Sequence, residues 1–133
     1  MGNNVHPRAF RLSTIYGWES KWFASGKTFV TALSEDVKIR ELLRKSLKDA
    51  GVDHIEIERT PKHITVNIHA AKPGFIIGRA GSGVEDIKKK ILAALFRGRR
   101  VTLVINVHEI TRPSLSGEVV GQQIAKEIEQ RMP

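Results

Sequence analysis

Cysteine is absent from the 133-residue sequence. That excludes disulfides, thiolate zinc sites and cysteine nucleophiles, and it fits a reducing compartment. No apolar run approaches the ~20 residues of a membrane-spanning helix. The opening Met1-Gly2-Asn3-Asn4-Val5-His6-Pro7 lacks the apolar stretch of a secretory signal. No membrane partner is therefore expected. Aromatics are few, eight in all, and six of them (Phe10, Tyr16, Trp18, Trp22, Phe23 and Phe29) fall within the first 33 residues. Negative charge is also scarce: 14 acidic against 22 basic residues leave a net charge of +8. That excess favours a polyanionic partner, nucleic acid first.

What is present is enough for one domain. The length suits a single fold, and with 41% hydrophobic residues wholesale disorder is not expected. The positive charge is unevenly placed. Residues 1–30 carry +3, residues 31–72 +1, residues 73–100 +5 and residues 101–133 −1. Two segments hold most of the excess.

Residues 1–33 show no clean period, and they combine their aromatics with Arg8, Arg11, Lys21 and Lys27. This predicts an irregular arm that docks on a partner or on the chain's own core. A helix is predicted over 35–50, with Ser34 as N-cap, Glu35 and Asp36 at the positive end of its dipole, and Gly51 beyond its end. Its apolar face would be Val37, Ile39, Leu42, Leu43, Leu47 and Ala50. Strict alternation predicts strands over 54–59 and 63–70, joined in an antiparallel hairpin by Thr60-Pro61-Lys62. A short helix, a glycine turn and a helix to about Phe96 follow, the last with Val84, Ile87, Ile91 and Leu95 on one face. A third strand is predicted over 101–107. A last helix follows, capped by Ser116, with Val120, Ile124 and Ile128 aligned. The expected architecture is a two-layer α+β domain over 34–133: a three-stranded sheet with helices on one face, preceded by the arm of residues 1–33.

The chemistry centres on Gly78-Arg79-Ala80-Gly81. Glycine lets the backbone turn tightly and approach a ligand. The turn feeds a helix, so free N–H groups and the positive dipole end suit a phosphodiester. Arg79 adds a cation, Lys88, Lys89, Lys90, Arg99 and Arg100 extend the basic surface, and Phe75, Ile76 and Ile77 could line an apolar groove for bases. A P-loop would need Gly-Lys-Ser/Thr, which is missing, and Pro73-Gly74 spoils a Rossmann turn.

Ile76-Ile77-Gly78-Arg79-Ala80-Gly81 matches the Ile-Gly-x-x-Gly signature of KH domains. Their loop clamps about four nucleotides of single-stranded backbone. Two strands before the loop and one after it resemble the type II KH arrangement. Val5-His6-Pro7, Phe10-Arg11-Leu12, Trp18-Glu19-Ser20-Lys21-Trp22-Phe23-Ala24, Ile55-Glu56-Ile57-Glu58-Arg59, Lys72-Pro73-Gly74 and Ile105-Asn106-Val107-His108-Glu109-Ile110 extend the likeness. Together they resemble the small-subunit ribosomal protein S-three family over nearly the whole chain. That resemblance implies a structural role in the small subunit of cytoplasmic ribosomes. It implies binding to rRNA in the subunit head near where mRNA enters, with neighbouring ribosomal proteins and mRNA as further partners. It also implies a second α+β domain beyond the last helix. The basic residues tied to mRNA unwinding lie there, so that role is carried onto no residue here. A free-standing KH regulator or assembly factor is the alternative.

No cofactor, metal or catalysis is expected. The chain shows no nucleophile elbow or triad, and nothing marks a lysine as desolvated for Schiff-base chemistry. His63 and His69 share one face of a strand, but the sequence places no third ligand beside them, so both are expected to face solvent. Glu56 and Glu58 are expected on a solvated strand face.

Overall fold

A computed structural model describes residue 2 and residues 4–131. A short helix, α1 (Pro7–Phe10), opens the arm, and a two-residue strand, β1 (Ser20–Lys21), closes it. The long helix α2 (Gly26–Ser46) follows, then the hairpin β2 (Val52–Arg59) and β3 (His63–Ala70). Next come α3 (Pro73–Ile77), a single tight turn over Arg79–Gly81, α4 (Ser82–Leu95), β4 (Thr102–Glu109) and α5 (Gly117–Glu129). The sheet order is β1-β2-β3-β4, with β2 and β3 antiparallel and the other two pairings parallel. A parallel neighbour needs a crossover, and α3, the glycine turn and α4 form the one between β3 and β4.

The sheet therefore has four strands rather than three. The extra one comes from the arm, where Ile57 N donates to Glu19 O at 2.8 Å and Ser20 and Lys21 lie beside Ile57 and Glu58. Two residues held by backbone pairing leave no alternation to read. Arg40 of α2 secures the junction, donating to Ile55 O at 2.6 Å and to Ser20 Oγ at 2.9 Å.

Helix α2 starts at Gly26, nine residues before the expected start, so Ser34 is mid-helix and the irregular part of the arm ends at Ser25. Glu35 and Asp36 do not decorate a helix end. Both are buried, Asp36 to 1% exposure. Arg59 donates to Glu35 at 2.6 Å and to Asp36 at 2.8 Å, Trp22 Nε1 donates to Asp36 at 2.7 Å, and Arg99 pairs with Glu35. Buried carboxylates persist because they are paired and hydrogen-bonded. These pairs tie α2 to β2, to the arm and to the segment after α4.

One apolar core lies between the sheet and the helices. Ile39 and Leu43 of α2 and Leu47 just after it meet Ile55 and Ile57, Ile64, Val66 and Ile68, and Leu103 from the strands, with Ile87 and Ile91 of α4. The strand alternation is met on all three long strands. Val37 departs from its predicted face and is exposed, as are Ile124 and Ile128 of α5. Ser116 caps α5 as expected, accepting from Val119 N at 3.3 Å. A bulge in β2 puts one extra residue, Asp53, between the Val52–Ala70 and His54–His69 pairs.

Candidate nucleic-acid interface

The glycine turn sits between two helices at a corner of the molecule. Gly78 has φ 68° and ψ −172°, a conformation open only to glycine, and a Cβ there would lie 3.0 Å from Gly83 N. Gly83, in the first turn of α4, was not singled out by the motif. A Cβ on it would come to 2.4 Å from the Ile76 carbonyl oxygen. It lets the end of α3 abut the start of α4. Gly81, at φ 80°, precedes α4 as its N-cap with open space around it. No side chain caps α4. Its leading N–H groups lack intrahelical partners, and the positive end of its dipole faces the turn.

Around this turn the predicted residues divide. Arg79 is exposed, and Phe75 and Ile77 flank it on the surface. Ile76 does not line a groove: it is 0% exposed and belongs to the core, because one side of a five-residue helix must face inward. Lys88, Lys89 and Lys90 start six residues into α4, about 9 Å along its axis. Among the described residues none of these three, nor Arg79 or Arg100, has a carboxylate in ion-pair range. Arg99 does: it pairs with Glu35 and lies over Phe96, 5.3 Å from the ring centroid. Arg99 and Arg100 follow the far end of α4, about 20 Å from the turn. Sequence reading passed over two cations here. Lys72 Nζ stands 5.9 Å from the Phe75 ring centroid, and Arg97 donates from Nε to Ala93 O at 2.9 Å.

Two of the arm's four cations meet carboxylates. Arg8 pairs with Glu19 and lies over Tyr16 at 5.7 Å. Lys21 bridges Glu56 at 3.1 Å and Glu58 at 3.3 Å, and these hydrogen bonds, Glu56 first, hold its ammonium pKa above the ordinary lysine value. Arg11 reaches the Pro7 carbonyl at 3.3 Å, and Lys27 is exposed. Trp22 is held by Asp36 and packs on Phe29 at 5.4 Å, whereas Phe10, Trp18 and Phe23 stand in solvent, Phe23 at 95% exposure.

On the sheet face away from the helices, Glu56 and Glu58 are the partners of Lys21 rather than a bare pair. Burial pushes the Glu56 carboxyl up, but Lys21 outweighs it and the net shift is downward. His63 and His69 do not act together. The neighbours of His69 come from the adjoining strands, His54 at 4.1 Å and His108 at 5.0 Å between ring centroids. Burial, then His54 and His108, hold the His69 pKa below the ordinary imidazole value.

Residues 38–115 match the family model described as KH domain. The chain is 44% identical to "Small ribosomal subunit protein uS3" of Oenococcus oeni over 99% of its own length and 51% of that relative. The protein of the same name from Caldicellulosiruptor saccharolyticus is 46% identical, over 99% of this chain and 58% of the relative. That of Leuconostoc citreum is 43% identical, over 99% and 61%. The chain thus spans little more than half the length of the relatives it matches. The two-helix corner, its glycine turn, the three long strands and the family match agree: the chain belongs to the KH domain family.

Proposed function

We propose that this chain is a structural, RNA-binding constituent of the small ribosomal subunit, seated on rRNA in the subunit head near where mRNA enters. The observation that carries the reading is the start of α4, without a side-chain cap, behind Gly78-Arg79-Ala80-Gly81, with Arg79 in the turn and Lys88, Lys89 and Lys90 along the helix, none of them paired with a carboxylate among the described residues. Backbone N–H groups and mobile ammonium groups suit phosphodiester oxygens without reading sequence. Phe75 and Ile77 give bases an apolar neighbour. Residues 34–133 hold the RNA, and the arm of residues 1–33 docks on rRNA and neighbouring ribosomal proteins through Phe10, Trp18 and Phe23. Lys27 and Arg100 add peripheral phosphate contacts. The relatives' name supports the ribosomal setting.

The test is sucrose-gradient fractionation of a native lysate. Stoichiometric recovery in small subunits and whole ribosomes is the expected result. Recovery only in light, RNA-containing fractions overturns the ribosomal reading in favour of a free-standing KH RNA binder. In isolation, binding to single-stranded rRNA fragments should fall with salt, log affinity against log salt dropping by roughly 0.7 per phosphate contacted.

A further inference from the structure

The polar face of the sheet carries a side-chain cluster that RNA binding does not use. Strand register sets three imidazoles in one row, His54 on β2 beside His69 on β3 beside His108 on β4. In the adjoining row Glu56 lies beside Asn67 and Asn106. One donor atom from each of His54, Glu56 and His69 lies within 4.8 Å of the other two.

The hydrogen bonds around the cluster prepare the donors. The bulge residue Asp53 places Oδ2 2.7 Å from His54 Nδ1. A carboxylate only accepts, so in the neutral ring Nδ1 carries the proton and Nε2 the lone pair. That Nε2 lies 4.0 Å from Glu56 Oε1. Ser116 donates to the other Asp53 oxygen, fixing the carboxylate from behind. Such a carboxylate-to-imidazole bond is the usual outer support of a metal-bound histidine. Glu56 divides its oxygens: Oε2 accepts from Lys21 at 3.1 Å, while Oε1 is the oxygen nearer His54. Lys21 also holds Glu58, so a cation drawn to Oε1 need not displace it.

We propose that His54, His69 and Glu56 form a binding site for a divalent transition cation of the zinc class, with His108 or water completing the coordination. Two imidazoles and one carboxylate without thiolate suit zinc, nickel or copper, whereas magnesium and calcium favour all-oxygen sets. Zinc–nitrogen bonds of about 2.0–2.1 Å place tetrahedral ligand atoms roughly 3.3 Å apart. Side-chain torsion closes that gap. The His54 and His69 rings, now stacked at 10°, must turn so that their lone pairs converge. Cation binding therefore unstacks the pair, which a merely solvated row of histidines would not do. The site is independent of the RNA-binding reading and stands or falls without it.

The probe is zinc chloride, titrated into the chelator-treated full chain and followed by calorimetry and by NMR of the imidazole ring protons. A single saturable site is expected, with the His54 and His69 ring signals shifting together while His6 and His63 stay in place. His54→Asn and His69→Asn should each abolish binding. Asp53→Asn should weaken it by about 10- to 100-fold. His63→Asn, on the same strand face six residues away, should leave it unchanged. Thermal melts without zinc report whether each variant is folded, and zinc loss in a folded His69→Asn protein supports the site. Binding that survives both His54→Asn and His69→Asn, binding lost in His63→Asn, or no saturable binding at millimolar zinc overturns the proposal.

Discussion

Two segments supply the chain's positive charge, and they use it differently. Residues 73–100 carry +5 and residues 1–30 carry +3. Along the first, only Arg99 of the predicted cations meets a carboxylate among the described residues. Along the arm, Arg8 and Lys21 are engaged with Glu19, Glu56 and Glu58, and Arg11 is turned onto a carbonyl. Among the described residues, the loop segment's other predicted cations have no carboxylate beside them. The arm commits Lys21 to β2, and Arg8 and Arg11 to its own Glu19 and Pro7. Segment charge marks where a polyanion could bind, but the carboxylates facing each cation decide whether it does.

The sharpest break in that comparison attacks the corner that presents the loop. Gly83→Ala forces a Cβ against the Ile76 carbonyl, 2.4 Å away, in a helix pair with no slack. A loss of about 3 kcal/mol is expected in urea unfolding. Gly81→Ala, with open space and only a positive φ to strain, should cost about 1 kcal/mol. Equal costs would mean that approach and conformation are not separable here.

Next in size is the charge itself. Replacing Lys88, Lys89 and Lys90 together by Gln should lower the salt slope of RNA binding by about 2 and the affinity at 0.1 M salt by about a hundredfold, if each meets one phosphate. Lys21→Gln with Arg8→Gln should leave the slope within about 0.5 of its original value, since those cations already have partners. A large slope change from the arm pair would erase the distinction between the two segments.

A smaller effect is expected in the clasp between them. Arg59→Met removes the shared partner of Glu35 and Asp36. Glu35 keeps Arg99 and Asp36 keeps Trp22, so the loss in thermal or urea unfolding should be about 2 kcal/mol rather than that of a bare buried charge. The indole fluorescence of Trp22 should shift with it. The smallest effect concerns acid. His69 has its pKa lowered in the fold, so its contribution is present above the unfolded value and fades as pH falls through the folded one. His69→Gln should flatten the fall in stability below about pH 6.5, read from thermal melts across that range.

The hairpin, β4 and α4 were legible because each carries a single unbroken period: Ile64, Val66 and Ile68 inside, Thr65 and Asn67 outside. The glycine loop was legible because Gly78 needs a backbone that other residues avoid. The start of α2 was not. Ser34-Glu35-Asp36 imitates a helix start, and only Arg59, 23 and 24 residues away, explains why the two acids lie buried inside it. The pairing of Arg99 with Glu35 was not legible for the same reason, its partner being 64 residues distant. The histidine row has no local signature, because it joins positions on three strands and needs the pairing of β3 with β4, 39 residues apart, as well as that of the hairpin.

The parallel pairing of β3 with β4 has a consequence in time. Every rung of the β2–β3 hairpin joins residues 5 to 18 positions apart, whereas every rung between β3 and β4 joins residues 39 apart. Closing the longer loop costs more entropy before any contact compensates for it, so distant pairing is the slow step. As the chain is synthesised, the hairpin can form as soon as Ala70 is free, but the corner holding Gly78 is pinned at both ends only when Glu109 has followed. The nascent protein can thus fold its core hairpin well before the corner around Gly78 is in place.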